Sequence, residues 1–336
     1  MVKSAAEYLN SVDRSSLGDR TAVIVGGTSG MGAKVAELLS EYGVGRIIIV
    51  GRNAQRGAAT VQAIRHRAPA GGEARAEYIR GDVSYNARRA EQRLRQYCSD
   101  IQGMKATADA IGEAVGAKGI DYLVMTQNGV PTGLIQSNAD GMDPAFAIQA
   151  VSRFVIPHRL IESGHLAPGA KVMSIANTGQ TLSDLSLDDL SLHGERYQTM
   201  WHARLFGQQS ARDSCVLDAF HESTGRAQLA QEFRLRYKEF EFFHVWPGLV
   251  KTPDFTLGAF PLVFRPLVAL GLWTIGQTPE GFAPAPVALL LNPAVKADAD
   301  DAMCYAYTLK PSAIGAWASD PENREKLWEW LIDKAA

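Results

Sequence analysis

Cysteine is scarce in this 336-residue chain. Its three copies, Cys98, Cys215 and Cys304, stand far apart, with no Cys-x-x-Cys pair. That spacing argues against a disulfide framework and against a structural zinc site, and a reduced, cytoplasmic setting is expected. An excess of one charge is lacking too: 34 Lys and Arg stand against 36 Asp and Glu, for a net charge of −2. Nothing in that balance recruits nucleic acid, which is held by concentrated positive charge. Residues 1–20 are polar, without the apolar core of a signal peptide. No apolar run reaches the ~20 residues of a membrane-spanning helix. The nearest, Phe255 to Gly276, is interrupted by Arg265 and two prolines. It reads as a lid over an apolar ligand, or as a shallow membrane contact. Lysine, finally, is missing from residue 172 to residue 237.

What is present is organised around Val23-Ile24-Val25-Gly26-Gly27-Thr28-Ser29-Gly30-Met31-Gly32. A β-branched run enters this stretch, and an apolar helical face leaves it through Ala33, Val35, Ala36, Leu38 and Leu39. That is the strand, glycine turn and helix of a nucleotide-binding βαβ unit. Gly26 lets the chain turn off the strand, Gly30 lets backbone approach a pyrophosphate, and Gly32 lets the helix pack close to the sheet. Free N–H groups at the helix start then meet the phosphate charge. Thr28, Ser29 and Met31 complete the candidate cofactor turn. The next strand, Arg46 to Val50, is apolar enough to be buried on both faces, and it runs into Gly51-Arg52-Asn53. An acid here would hold a ribose hydroxyl, whereas an arginine accommodates a 2′-phosphate. Arg52, with Arg56 one turn on and no acid nearby, favours NADP(H) over NAD(H).

Further along, strands alternate with helices. Ala76 to Ile79 ends at Gly81-Asp82-Val83, and the arginine-rich segment 85–103 reads as an inserted, solvated helix. Asp121 to Met125 leads to Asn128-Gly129, and Asp143-Pro144 is a helix start. Lys171 to Ala176 leads to Asn177. Gln180 to Gln209 looks like loop, Asp213 to Gln231 like helix, and Phe240 to Trp246 like a strand ending at Pro247-Gly248. A helix from Thr278-Pro279, a strand from Met303 to Leu309 and a last helix capped by Asp320-Pro321 follow. With no internal repeat and no linker, the expected fold is α/β. One Rossmann-type, doubly wound parallel sheet in three αβα layers would span residues 1–336 as a single domain.

These motifs, in this order, resemble the short-chain dehydrogenase/reductase superfamily. Gly26-x-x-x-Gly30-x-Gly32 is similar to its cofactor motif, and Arg52 stands where its NADP-preferring members carry a basic residue. Asp82-Val83 resembles the adenine contact, Asn128-Gly129 part of the N-N-A-G motif, and Pro247-Gly248-Leu249-Val250-Lys251-Thr252 the segment that closes over the nicotinamide. The resemblance thus adds Gly248, Val250 and Thr252 to the cofactor residues. Val25-Gly26-Gly27-Thr28-Ser29-Gly30 is similar to fungal members in particular, often from secondary metabolism. It implies hydride exchange between a nicotinamide and a carbonyl or alcohol, with a Tyr-x-x-x-Lys pair and a Ser as catalytic groups. It also implies a dimer or tetramer, which many members form.

The catalytic half departs from that pattern. Asn177 stands at the serine position. Tyr197 lies twenty residues later, but the matching lysine position holds Trp201. A helix, a short loop and a strand before Pro247 need about 30–35 residues, which puts the tyrosine position at Asp213 and the lysine position at Leu217. With no lysine between 172 and 237, neither count builds the usual acid. Candidate replacements are Asp213, Asn177, His221 about two turns beyond Asp213, and Tyr197 reaching in from the loop. Asp213 as a helix cap, His221 as a structural histidine and Tyr197 as packing are the plainer readings. Two activities fit: NADPH-linked reduction of an apolar carbonyl or imine, or a redox-neutral isomerase or cyclase built on the same scaffold. A non-catalytic NADP-binding protein is the third.

Overall fold

Strands β1 (Thr21–Val25), β2 (Arg46–Gly51), β3 (Arg75–Arg80), β4 (Ile120–Met125), β5 (Leu166–Ile175), β6 (Glu241–Trp246) and β7 (Cys304–Ala306) make one sheet in the order β3-β2-β1-β4-β5-β6-β7. Every pairing is parallel. The computed structural model describes residues 2–69, 75–81, 100–129, 132–176, 185–220, 232–253, 262–299, 304–312 and 316–336. The longer helices are α1 (Ala5–Asn10), α2 (Gly30–Glu41), α3 (Ala54–Arg67), α4 (Ile101–Val115), α5 (Ser152–Glu162), α6 (His202–Phe220), α7 (Arg265–Thr274), α8 (Pro284–Leu291) and α9 (Pro321–Ala335).

Residues alternate across the sheet with the two-residue period of a pleated strand. Val23, Val25, Ile48, Val50, Leu123 and Met125 face one core, together with residues of α4, α5, α6 and α9. Ala22, Ile24, Ile47, Ile49, Tyr122 and Val124 face the other, with α1, α2, α3 and α8. Burial on both faces explains why the strands read as unbroken apolar runs, and it is the arrangement of a doubly wound, three-layer fold. The chain winds outward from β1 to β3, then crosses back to β4 on the other side of β1. The carboxyl ends of β1 and β4 therefore bound the topological switch point, where open α/β sheets bind ligands.

Several elements differ from the sequence reading. The helix expected from Asp213 begins at His202, so the last eight residues of the supposed loop to Gln209 are helical. Gln, Arg and Leu are good helix formers, and Gln209 and Arg212 find buried partners that a sequence pattern does not display. Asp213 accordingly lies in mid-helix and cannot be its cap. β5 starts at Leu166, five residues before Lys171, and β7 is only three residues long. Helix α1, closed by a Ser4–Glu7 capping box, was not expected from the polar N-terminal stretch. The segment 85–99 of the expected inserted helix, and 255–261 of the expected lid, lie outside the described residues.

Candidate active site

The glycine turn leaves β1 at the switch point with Gly26 at φ +85° and Gly30 at φ +55°, backbone that favours glycine. A Cβ on Gly26 would lie 2.6 Å from Thr126 Oγ1, and one on Gly32 only 2.4 Å from the same atom. The turn is therefore pressed against the residue just after β4, whose own N–H donates to the Val25 carbonyl (2.8 Å). Ser29, in extended conformation, places no side-chain cap on α2. The first N–H groups of that helix have no intrahelical acceptor, which is the arrangement an anion's oxygens use. Thr252, on the segment after β6, packs on Gly30, with its Cβ 3.3 Å from where a Gly30 Cβ would stand. A cleft of about 380 Å³ opens there, lined by Gly30, Lys34, Lys251, Thr252, Thr278 and Glu280 among others. Met31 is half-buried against the neighbouring core.

The end of β2 meets the same turn. Gly51 has no room for a Cβ, which would stand 2.5 Å from Thr28 Cγ2. Arg52 follows at the strand's end, exposed, and Asn53 caps α3 by accepting from the Arg56 N–H (2.9 Å). Gly248 adopts φ +65° against the Tyr307 ring, and Val250 is buried and bridges to Gln277. Asn128 is exposed, and Gly129 packs on the Ala145 backbone rather than on the glycine turn. Thr126 and the Gln127 backbone, just before them, are what the turn presses on. Asp82 and Val83 lie outside the described residues.

Below this rim a polar cluster is buried between the sheet and α5 and α6. The register pairs Ser174 of β5 with His244 of β6, and both side chains project to the face that α5 and α6 cover. His244 Nε2 donates to the Ala176 carbonyl (3.2 Å), which fixes the neutral tautomer with the proton on Nε2. Burial, followed by the nearby Arg153 charge, pushes its pKa down to about 3. Arg153, itself fully buried on α5, donates to the Ile175 carbonyl (3.0 Å) and to the Gln149 carbonyl. The last two carbonyls of β5 and its exit are thus held by two polar side chains from neighbouring elements.

On α6, Gln209, Arg212 and Asp213 share one face by their i, i+3, i+4 spacing. Arg212 donates to Asp213 Oδ1 (2.8 Å), to Asp143 Oδ1 (3.2 Å) and to the Leu190 carbonyl (3.1 Å), and stacks on Phe146 at 4.5 Å. Gln209 donates to Asp143 Oδ2 (3.1 Å) and to the Leu134 carbonyl, and accepts from the Gly133 N–H. Asp143 also caps the helical turn before α5 by accepting from the Phe146 N–H (3.0 Å). Burial pushes the Asp213 pKa up to about 7, with the Asp143 charge adding to it and the Arg212 and Arg153 charges opposing it.

Among the described residues, the buried oxygens without a hydrogen-bond partner include Asp213 Oδ2, Gln127 Oε1 and Gln149 Oε1. These three belong to one connected region. Gln127, next to Thr126, donates to Ser152 Oγ (2.9 Å), and Gln149 lies in a π-helical turn, Ala147–Val151, directly before α5. Buried acceptors left open in this way call for a water or a ligand.

Of the two catalytic candidates among the described residues, Asp213 falls in this cluster and Tyr197 does not. Tyr197 is buried in a separate small cluster with Leu192 and Leu205, its hydroxyl bonded to Arg196 and the guanidinium over its ring. Asn177 and His221 lie outside the described residues. Sequence reading missed Arg153, Arg212, Asp143 and His244 as site groups. The available signal was a single charged or imidazole side chain inside an otherwise apolar helix or strand, as in Phe242-Phe243-His244-Val245.

A model of the KR domain matches residues 20–118. The chain is 26% identical to Oxidoreductase AN1596 of Emericella nidulans over 243 residues, which are 72% of this chain and 61% of that protein. It is 24% identical to Oxidoreductase andH of Emericella variicolor over 262 residues, 76% of this chain and 66% of that protein. The chain thus spans less than two thirds of the length of these relatives. A short-chain dehydrogenase/reductase from Serratia marcescens superposes with TM-score 0.54 at 16% identity, over 86% of this chain and 97% of the other. Levodione Reductase superposes with TM-score 0.54 at 17% identity, over 89% and 96%. At such identities the likeness speaks for the fold.

Proposed function

We propose that this chain, a member of the short-chain dehydrogenase/reductase superfamily, is an NADP(H)-dependent oxidoreductase that reduces an apolar carbonyl or imine with Asp213 as its acid. The observation that carries the reading is the uncapped, glycine-built start of α2, pressed against Thr126 and facing Thr252, with Arg52 at the adjoining strand end. The residues fit the cofactor: Gly30, Met31 and Gly32 would meet its pyrophosphate with backbone N–H groups, Thr252 would add a hydroxyl, and Arg52 would face a 2′-phosphate. The nicotinamide supplies hydride chemistry when bound.

The chain's own contribution is the proton. A carboxyl with a pKa near 7 is protonated in about half the molecules at neutral pH, the range in which general acids work best. Arg212 holds Oδ1, so the open Oδ2 is the atom that would pass a proton to a carbonyl oxygen or imine nitrogen. Apolar substrates are favoured because the segment after β6 continues into an exposed apolar helix, α7. A role in fungal secondary metabolism accords with the two Emericella relatives and with the sequence resemblance.

Turnover tests this directly. Incubation with NADPH and a panel of apolar ketones, aldehydes and cyclic imines is expected to give product two mass units heavier, with loss of the reduced-cofactor absorbance. A product of unchanged mass, with that absorbance intact, would favour the isomerase or cyclase reading. Asp213→Asn is expected to lower kcat about 100-fold or more, abolishing the pH limb near 7, while NADPH binding persists. Undiminished turnover with the same pH profile would remove Asp213 from catalysis.

A further inference from the structure

Helix α7 and the turn before it, Leu262–Phe264, contradict the usual economy of a water-facing helix. Soluble helices turn an apolar stripe inward and a polar face outward, and a helix apolar all round belongs in an apolar surrounding. Here no residue of α7 is buried, yet between Arg265 and Thr274 its sequence, Pro-Leu-Val-Ala-Leu-Gly-Leu-Trp, is apolar. Leu262, Val263, Leu267, Leu270, Trp273 and Ile275 are all more than half exposed, up to 79% at Trp273. Single exposed apolar residues are ordinary; a contiguous set marks a contact surface.

Three observations choose the occupant. First, between Phe255 and Pro279 the sole ionisable residue is Arg265; Lys251 and Asp254 stand just before the segment and Glu280 just after it. An apolar face with no acid within it suits a lipid surface. Second, ten helical residues measure ~15 Å, about half the ~30 Å of a bilayer's hydrocarbon core, so the helix can lie in the interface but not cross it. No helix among the described residues is long and apolar enough to cross. Third, a stable dimer needs roughly 20–30 residues a side, whereas this patch offers seven large apolar side chains, concentrated on one element. A bilayer surface demands no such shape-matched area. Trp273, the most exposed of them, is of the type that settles at the headgroup level.

We infer that the α7 face docks on a phospholipid bilayer surface. The docking is coupled to the site by short connections. Gly271 of α7 rests on Leu249, and Gln277 exchanges backbone hydrogen bonds with Leu249 and Lys251 (2.9 and 2.8 Å), on the segment whose Thr252 packs on Gly30. An apolar substrate dissolved in the bilayer would thereby reach the crevice without crossing water.

Sedimentation with sucrose-loaded vesicles tests the inference independently of turnover. Wild-type chain is compared on phosphatidylcholine alone and on phosphatidylcholine with about a third phosphatidylserine, with a vesicle-free spin as control. Wild type should pellet with vesicles of both compositions. The double variant Leu267→Glu, Leu270→Glu, placed at exposed positions, should lose about tenfold or more of that binding while keeping its melting temperature. Pelleting of the double variant equal to wild type would overturn the inference. So would a wild type that ignores vesicles, whether it stays monomeric or forms a dimer that the double variant dissociates. The last result would assign the face to a second copy.

Discussion

Asp213 and His244 impose opposite pH dependences on the same buried cluster. The Asp213 pKa is raised to about 7 on folding, so between its ordinary value near 4 and 7 the native chain holds a proton that the unfolded chain has released. Raising pH through that window destabilises the fold, and the loss is complete above 7. The His244 pKa is lowered to about 3, so between 3 and its ordinary 6.5 the unfolded chain holds the extra proton, and stability rises with pH to a plateau above 6.5. The two trends oppose each other from about 4 to 6.5, and Asp213 alone acts from there to 7. Asp213→Asn should therefore gain on wild type by an amount on the order of a few kcal/mol as pH rises from about 4 to 7, and by nothing further beyond. Urea denaturation across that range checks it; a difference independent of pH would mean that Asp213 ionises normally. Little of this was legible beforehand. Asp213 was reached by counting back from Pro247, but its environment comes from burial and from Arg212, Asp143 and Arg153, the last two 70 and 60 residues away in the chain. No local pattern reports such a meeting.

At the level of elements, legibility followed how local the determinants were. The turn from β1 into α2 was readable because its glycines answer to short-range demands, and its structure meets them at Gly26, Gly30 and Gly32. Helix starts at Asn53, Asp143, Thr278 and Asp320 carry side-chain caps. By contrast, the start of α6 was misplaced by eleven residues, because Gln209 and Arg212 are polar in sequence but buried by partners on α5's approach and on loops. The glycine turn gives the sharper prediction at this scale. In Gly32→Ala the new methyl would stand 2.4 Å from Thr126 Oγ1 and 2.6 Å from the Gly26 carbonyl oxygen, so α2 must move off the sheet. The expected cost is about 1–3 kcal/mol of stability, with NADPH binding lost. Denaturation and a binding titration on the same sample measure both, and unchanged binding would show that the turn is not the phosphate site.

For the molecule as a whole, the order of seven parallel strands places two unlike halves on either side of one crevice. The β1–β3 half presents the turn and Arg52; the β4–β6 half presents Thr126, the polar cluster and the segment to Thr252. The alternation of strands and helices made the sheet readable in advance, and burial on both faces explains the apolar strands. The chemistry of the second half was not readable, since it depends on which side chains the sheet register brings together, as with Ser174 and His244. In the proposed function the first half binds NADP(H), and Arg52 selects the 2′-phosphate. Isothermal titration of the purified chain with NADPH and with NADH tests it most directly. NADPH should bind about tenfold or more tighter, with the preference abolished in Arg52→Asp, as loss of a charge-assisted phosphate contact requires. Equal or tighter binding of NADH by the wild-type chain, or binding of neither, would contradict it.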